Sequence, residues 1–235
     1  MDQEGNVIAD WESEGEEYTV SLPAGTYKLH EFKAPDGYAL AEDIEFKISE
    51  TGKLVWGEQT DGTSTSVEII DNPTYVKIAK QNGYNSNLPG AVLKLSEEVS
   101  DDNYQTVAQW TTGDGQKNFS LDSNNALNIF TRYKLEEISV PDGYSKAQDI
   151  YFVLNGSGQV IINGELSRKQ NGSYTVFGGT PAEDNLIVMN DYKKIVLPGS
   201  GSKEELMFIL FGCLLFTAGC IYIGRYYIKR RRRLR

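Results

Sequence analysis

A repeat at a separation of 106 positions constrains this chain more than any other feature. Tyr27-Lys28-Leu29 recurs as Tyr133-Lys134-Leu135, and Glu31 as Glu137. Pro35-Asp36-Gly37-Tyr38 recurs as Pro141-Asp142-Gly143-Tyr144. Asp43-Ile44, Phe46 and Gly52 recur as Asp149-Ile150, Phe152 and Gly158. Upstream, Trp11 aligns with Trp110 and Ser21-Leu22 with Ser120-Leu121, now at a separation of 99. The second copy therefore carries seven extra residues between Leu121 and Tyr133. Residues 74–100 have no counterpart ahead of the first copy, so the chain reads as a partial domain, 1–73, and a complete one, 74–194. The repeat phase places Met1 inside the first copy. No basic stretch and apolar run of a signal peptide follow it, so a longer protein with an upstream segment is expected.

Within the repeats the pattern is that of strands. Val76–Lys80, Ala91–Leu95, Thr106–Trp110 and Ile150–Leu154 are short runs rich in β-branched and aromatic residues. Pro-Asp-Gly and Gly-Ser-Gly punctuate them as turns. Several short strands in about 110 residues imply a β-sandwich. The expected fold is all-β, with tandem prealbumin- or immunoglobulin-like sandwiches, the first partial, followed by a single C-terminal transmembrane helix.

The C-terminal segment has a different composition. Residues 206–223 are eighteen uncharged, largely apolar residues. As a helix they would extend roughly 27 Å, about the apolar thickness of a bilayer. Seven basic residues and no acidic one follow between Arg225 and Arg235. The positive-inside rule makes 225–235 a cytoplasmic tail and places residues 1–200 outside. Residues 1–200 carry 15 basic and 31 acidic residues, a net of −16. That balance argues against nucleic-acid binding, which needs clustered Lys and Arg. Cys213 and Cys220, the only cysteines, lie within the apolar run and read as membrane filler. A linker, 195–205, precedes a span at 206–224. In that linker stands Leu197-Pro198-Gly199-Ser200-Gly201. With the span and basic tail it resembles a sortase sorting signal of the form Leu-Pro-any-Thr-Gly, with Ser200 in place of Thr. The resemblance implies cleavage between Ser200 and Gly201, and joining of Ser200 to the cell-wall peptidoglycan precursor. The partners so implied are sortase, that precursor and, transiently, the membrane.

Strand alternation assigns faces. Val76, Ile78 and Lys80 share one face; Tyr133, Leu135 and Glu137 another; Ile187, Met189 and Asp191 a third. Each apolar stripe ends in a charged residue. Burying three such groups is costly unless they pair.

The pattern VKIAK…LPGA, YKLEEISVPDGY and IVMND resembles the Cna B-type (SpaA-like, prealbumin-like) domain of Gram-positive pilins and adhesins. It covers residues 74–193 in full and 1–74 in part. The resemblance implies an intramolecular isopeptide bond, with Lys80 as nucleophile, Asp191 as electrophile and Glu137 assisting. Asn190 is the neighbouring alternative partner, although the facing argument prefers Asp191. A buried, ion-paired triad without a covalent bond uses the same three residues. In the first copy Glu31 and Asp71 match the Glu and Asp, without the lysine-bearing strand, which leaves that copy an exposed edge.

The function so expected is a stalk of a cell-surface protein, a minor or basal pilin or an adhesin, associated with other pilins or host surface ligands. The alternatives are a host-ligand-binding module, or an uncleaved single-pass membrane protein. Ligand binding would use the 122–132 insertion or the 163–184 loop region, with Phe130, Tyr174 and Phe177 exposed. His30, the single histidine, reads as a surface residue. No hydrolase constellation, metal site or cofactor is expected, and the chain is not expected to be an enzyme.

Overall fold

Period-two alternation becomes strands between Gly25 and Trp56 and between Val76 and Lys193. The computed structural model describes residues 1–57, 62, 65–169, 172–195, 207–217 and 225. The sorting pentapeptide 197–201 and most of the basic tail lie outside the described residues. Two units are formed, Met1–Lys193 and Lys194–Arg235. In the second, residues 207–217 are helical and exposed. Among the described residues no helix is long and apolar enough to cross a membrane. The remainder of the expected span falls on residues outside the description.

In the first unit, β1 (Gly25–Leu29), β2 (Ile44–Ile48) and β3 (Leu54–Trp56) form an antiparallel sheet in that order. Tyr27 is buried and stacks on Phe46, with ring centroids 5.5 Å apart. Residues 1–24 contain no strand, although Trp11 aligns with Trp110 of a strand. Trp11 instead stacks on Tyr18, with centroids 4.4 Å apart. The physical difference is the partner. Trp110 lies on a strand paired residue by residue with its neighbour, and among the described residues nothing pairs with residues 7–12 in that way.

The second repeat contributes β4 (Val76–Asn82), β5 (Val92–Ser100), β6 (Asn103–Thr111), β7 (Lys117–Phe119), β8 (Arg132–Ser139), β9 (Tyr144–Ser145), β10 (Ile150–Leu154), β11 (Val160–Ile162), β12 (Glu165–Arg168), β13 (Tyr174–Phe177), β14 (Thr180–Pro181) and β15 (Leu186–Lys193). Six of them form a sheet in the order β14-β11-β10-β8-β5-β6, and four form a second, β7-β4-β15-β9. Val76, Ile78, Ile187 and Met189 of the smaller sheet share one core with Leu93, Leu95, Tyr133, Leu135, Phe152 and Leu154 of the larger. This is the two-layer solution open to sheets with one apolar face each.

One pairing positions the site. β15 runs parallel to β4, so the last strand of the unit lies along the first strand of this repeat, with Met189 opposite Lys80. The 163–184 segment departs from expectation. It is not a loop, because β12 and β13 form an antiparallel hairpin that pairs Leu166 with Val176. Phe130 departs too. It is half-buried and stacks on Tyr174, with centroids 6.0 Å apart. Tyr174 and Phe177 are exposed.

Candidate functional site

Three charged side chains meet inside the second repeat because three apolar stripes end at one level. In β4 the burial of Val76 and Ile78 carries Lys80 inward, and in β15 that of Ile187 and Met189 carries Asp191 inward. The parallel register sets Asp191 one pleat beyond Met189, the residue opposite Lys80. Glu137 arrives from β8 in the other sheet, on the face of Tyr133 and Leu135. The side chains of Lys80, Glu137 and Asp191 are 1%, 0% and 0% exposed.

The Lys80 ammonium donates a hydrogen bond to Asp191 Oδ1. Its Nζ lies 3.1 Å from Glu137 Oε1. Glu137 is fixed from behind, since its Oε2 accepts the Ala147 backbone N–H at 2.9 Å. Asp191 Oδ2 accepts no hydrogen bond among the described residues. Two carboxyl groups thus share one amine in an apolar chamber. Burial pushes the Glu137 carboxyl above its ordinary range, and the neighbouring Asp191 carboxyl adds to this, against the Ala147 amide and Lys80. Such a cluster favours forms in which a carboxyl keeps its proton. Beside Lys80 lies a cavity of about 220 Å³, lined by Ile78, Leu93, Trp110, Thr112 and Lys117 among others.

Asn190 takes no part in this cluster. It lies on the opposite pleat, half-buried, opposite Gln81 of β4. His30 is exposed at the surface with Nδ1 2.5 Å from Asp43 Oδ1. Among the described residues no group of His, Cys, Asp and Glu is placed to hold a metal ion.

The first repeat holds a two-membered version of the cluster. Glu31 Oε2 accepts the Ala41 N–H at 2.7 Å, as Glu137 does that of Ala147. Burial raises the Glu31 carboxyl, with the charge and hydrogen bond of Asp71 adding to it. Among the described residues no lysine forms an ion pair with either carboxyl. The backbone anchor of each glutamate was not among the residues singled out from sequence. Its signal was present, because Ala41 and Ala147 are themselves 106 apart.

A family model for the SpaA prealbumin-like fold domain matches residues 1–61 and 74–166. The chain belongs to that family. Both stretches of SpaA-type domain contain one of the glutamates just described. Similar solved structures include a C-terminal fragment of the pilus adhesin SpaC from Lactobacillus rhamnosus GG, 20% identical over 75% of this chain and 79% of that one, with a TM-score of 0.37. The shaft pilin SpaA of the same organism is 16% identical over 74% of this chain and 66% of that one, with a TM-score of 0.33. A streptococcal ancillary pilin is 18% identical over 74% of this chain and 44% of that one, with a TM-score of 0.32. No curated protein matches the sequence.

The Glu31 carboxyl of the first SpaA-type domain gives a pH prediction. Its folded pKa lies above its ordinary value of 4.5. The proton it holds therefore stabilises the fold fully below that ordinary value, and this contribution is lost as pH rises through the folded value. Amide exchange in β1–β3 should slow in the wild type relative to Glu31→Gln as pH falls through this window. A difference that is flat in pH, or of opposite sign, would contradict the assignment.

Proposed function

We propose that this chain is a structural stalk of a sortase-anchored cell-wall surface protein, stiffened by an amide bond between Lys80 and Asp191. The observation that carries the proposal is the pairing of the Lys80 amine with the Asp191 carboxyl, with Glu137 beside them and all three side chains buried. Burial raises the Glu137 carboxyl, so Glu137 is suited to carry a proton between the amine and the carboxyl beside it. Lys80 Nζ attacks Asp191 Cγ. Glu137 takes a proton from the nitrogen and returns one to the departing hydroxyl, so that one water leaves and one amide remains. The cavity beside Lys80 offers the water a place to go. The reaction happens once per molecule and does not make the chain an enzyme.

The bond would tie β4 to β15, the parallel pair at the two ends of the second repeat. Tension applied along the stalk would then load a covalent link instead of the sheet's hydrogen bonds. Domain limits of 1–73 and 74–194 fit this role, followed by the 195–205 linker, a 206–224 membrane span and the 225–235 tail. Cell-surface localisation and association with other pilins or host ligands follow from the same proposal. A second reading, a ligand-binding module, is favoured by exposed Tyr174 and Phe177 on the β12–β13 hairpin.

Intact mass of the purified chain tests the bond. The expected mass is one water below that of the sequence, with a tryptic product joining the Lys80 and Asp191 peptides. Loss of one ammonia would point to Asn190 instead. The full sequence mass would leave the triad an ion-paired cluster.

A further inference from the structure

The seven extra residues of the second repeat sit where the first repeat ends. The Pro35-Asp36-Gly37-Tyr38 turn is set against them. Gly37 N–H donates to Asn128 Oδ1 at 2.8 Å. Gly37 C=O accepts the Thr74 N–H at 2.8 Å, and the Thr74 hydroxyl lies 3.1 Å from the same oxygen and 2.6 Å from Leu127 O. Leu40 N–H donates to Gly156 C=O at 2.8 Å. Thr74, Leu127 and Ala39 are buried at this contact, which excludes water from its centre.

Gly37 is required here for two separate reasons. Its φ is +80°, in the left-handed region. A Cβ on it would also stand 2.8 Å from Ala126 Cβ and 2.9 Å from Leu121 Cδ2. The equivalent Gly143 of the second repeat has φ +82° and, among the described residues, nothing within 4 Å of its Cβ position. The same turn with the same glycine conformation is therefore docked against Leu121 and Ala126 in one copy, whereas in the other its tyrosine pairs with β15 of its own repeat. The receiving surface is tied to the core of its own repeat, since Asn128 N–H donates to the hydroxyl of buried Tyr133 at 2.7 Å.

We propose that residues 121–128 are a socket for the Pro-Asp-Gly-Tyr turn of a preceding SpaA-type domain, and that this socket locks the two repeats into one rigid body. Domains joined by a short linker otherwise move relative to one another by default. The partner is defined by its chemistry, a tight turn with glycine at its apex and both backbone groups of that glycine free to bond. Occupied in this way, the insertion is closed to an outside ligand. The proposal is independent of the Lys80–Asp191 bond, which lies wholly within the second repeat.

Electron-spin distance measurement tests it on the full chain in detergent. Cys213 and Cys220 are replaced by Ser, and spin labels are placed at Thr51→Cys and Asp101→Cys, exposed positions in the two repeats. The expected starting result is one narrow distance distribution. Gly37→Val should widen it by about twofold or more as the docking is lost. Gly143→Val imposes the same backbone strain outside the contact and should leave it narrow. Ala126→Phe fills the socket from the second repeat and should widen it with the first repeat intact, so the result holds even where Gly37→Val unfolds that repeat. A distribution that stays narrow in Ala126→Phe, or that widens equally in Gly143→Val, overturns the proposal.

Discussion

Lys80→Met should lower the unfolding temperature of the second repeat by roughly 15–20 °C. Lys80 and Asp191 are 111 positions apart. On the chain-entropy account, a cross-link closing a loop of about 100 residues removes about 4.7 kcal/mol of unfolded-state entropy. In a domain of this size each kcal/mol moves the midpoint by about 4 °C. Met keeps the apolar stem of Lys80 in contact with the core and removes only the amine. It also leaves a free Asp191 carboxyl buried beside Glu137 with no amine to bond, which adds to the loss. Asp191→Ala removes the same bond from the other side. If the bond exists, the double variant is no less stable than the worse single one, because both changes delete one interaction. Calorimetry on the three variants decides this. A Lys80→Met shift of under about 5 °C, or strictly additive losses, would mean that no bond closes the loop.

The faces of the site were legible from sequence because β8 and β15 bury alternate residues, and β4 does so apart from small, buried Ala79. Alternation in Val76-Lys77-Ile78-Ala79-Lys80, Tyr133–Glu137 and Ile187–Asp191 marks an inward side, and the three charged residues fall on it. That the stripes converge was not legible. Convergence depends on β15 lying parallel to β4 and on β8 belonging to the opposite sheet, which is long-range pairing that no local pattern encodes. The β12–β13 hairpin reads as loop for a related reason. Glu165, Ser167 and Arg168 are exposed, and Tyr174 and Phe177 are exposed apolar residues, so the periodic contrast that marks a half-buried strand is missing. Residues 7–12, which contain Trp11, are the converse case. Their similarity to the Trp110 strand is real in sequence, but a strand exists only where another strand pairs with it. The socket could not be read either, since the glycine that fits it lies 91 positions from the asparagine that receives it.

The second large effect is expected at the other end of the chain. Leu197→Ala should reduce the wall-linked fraction of the protein about tenfold to a hundredfold, measured as material released only by wall-degrading enzymes. If an enzyme cleft buries the Leu197 side chain, truncation removes roughly 1.5–3 kcal/mol of binding, and a factor of ten corresponds to about 1.4 kcal/mol. Pro198→Ala should act in the same direction through a different term. Proline fixes φ near −65° and biases the preceding residue to an extended form. Its loss obliges the enzyme to order a more flexible strand. Ser200→Thr should do the reverse and hold or raise the wall-linked fraction, because Thr restores the methyl that Ser200 lacks while keeping the hydroxyl. In each loss variant the chain should accumulate in the membrane fraction, retained by the apolar run 206–223 and its basic tail. If the wild-type chain were itself found wholly in that fraction, and Ser200→Thr did not move it, the protein would be a single-pass membrane protein and the anchoring step would be absent. The Lys80–Asp191 bond would survive that outcome, because its chemistry is complete within residues 74–194.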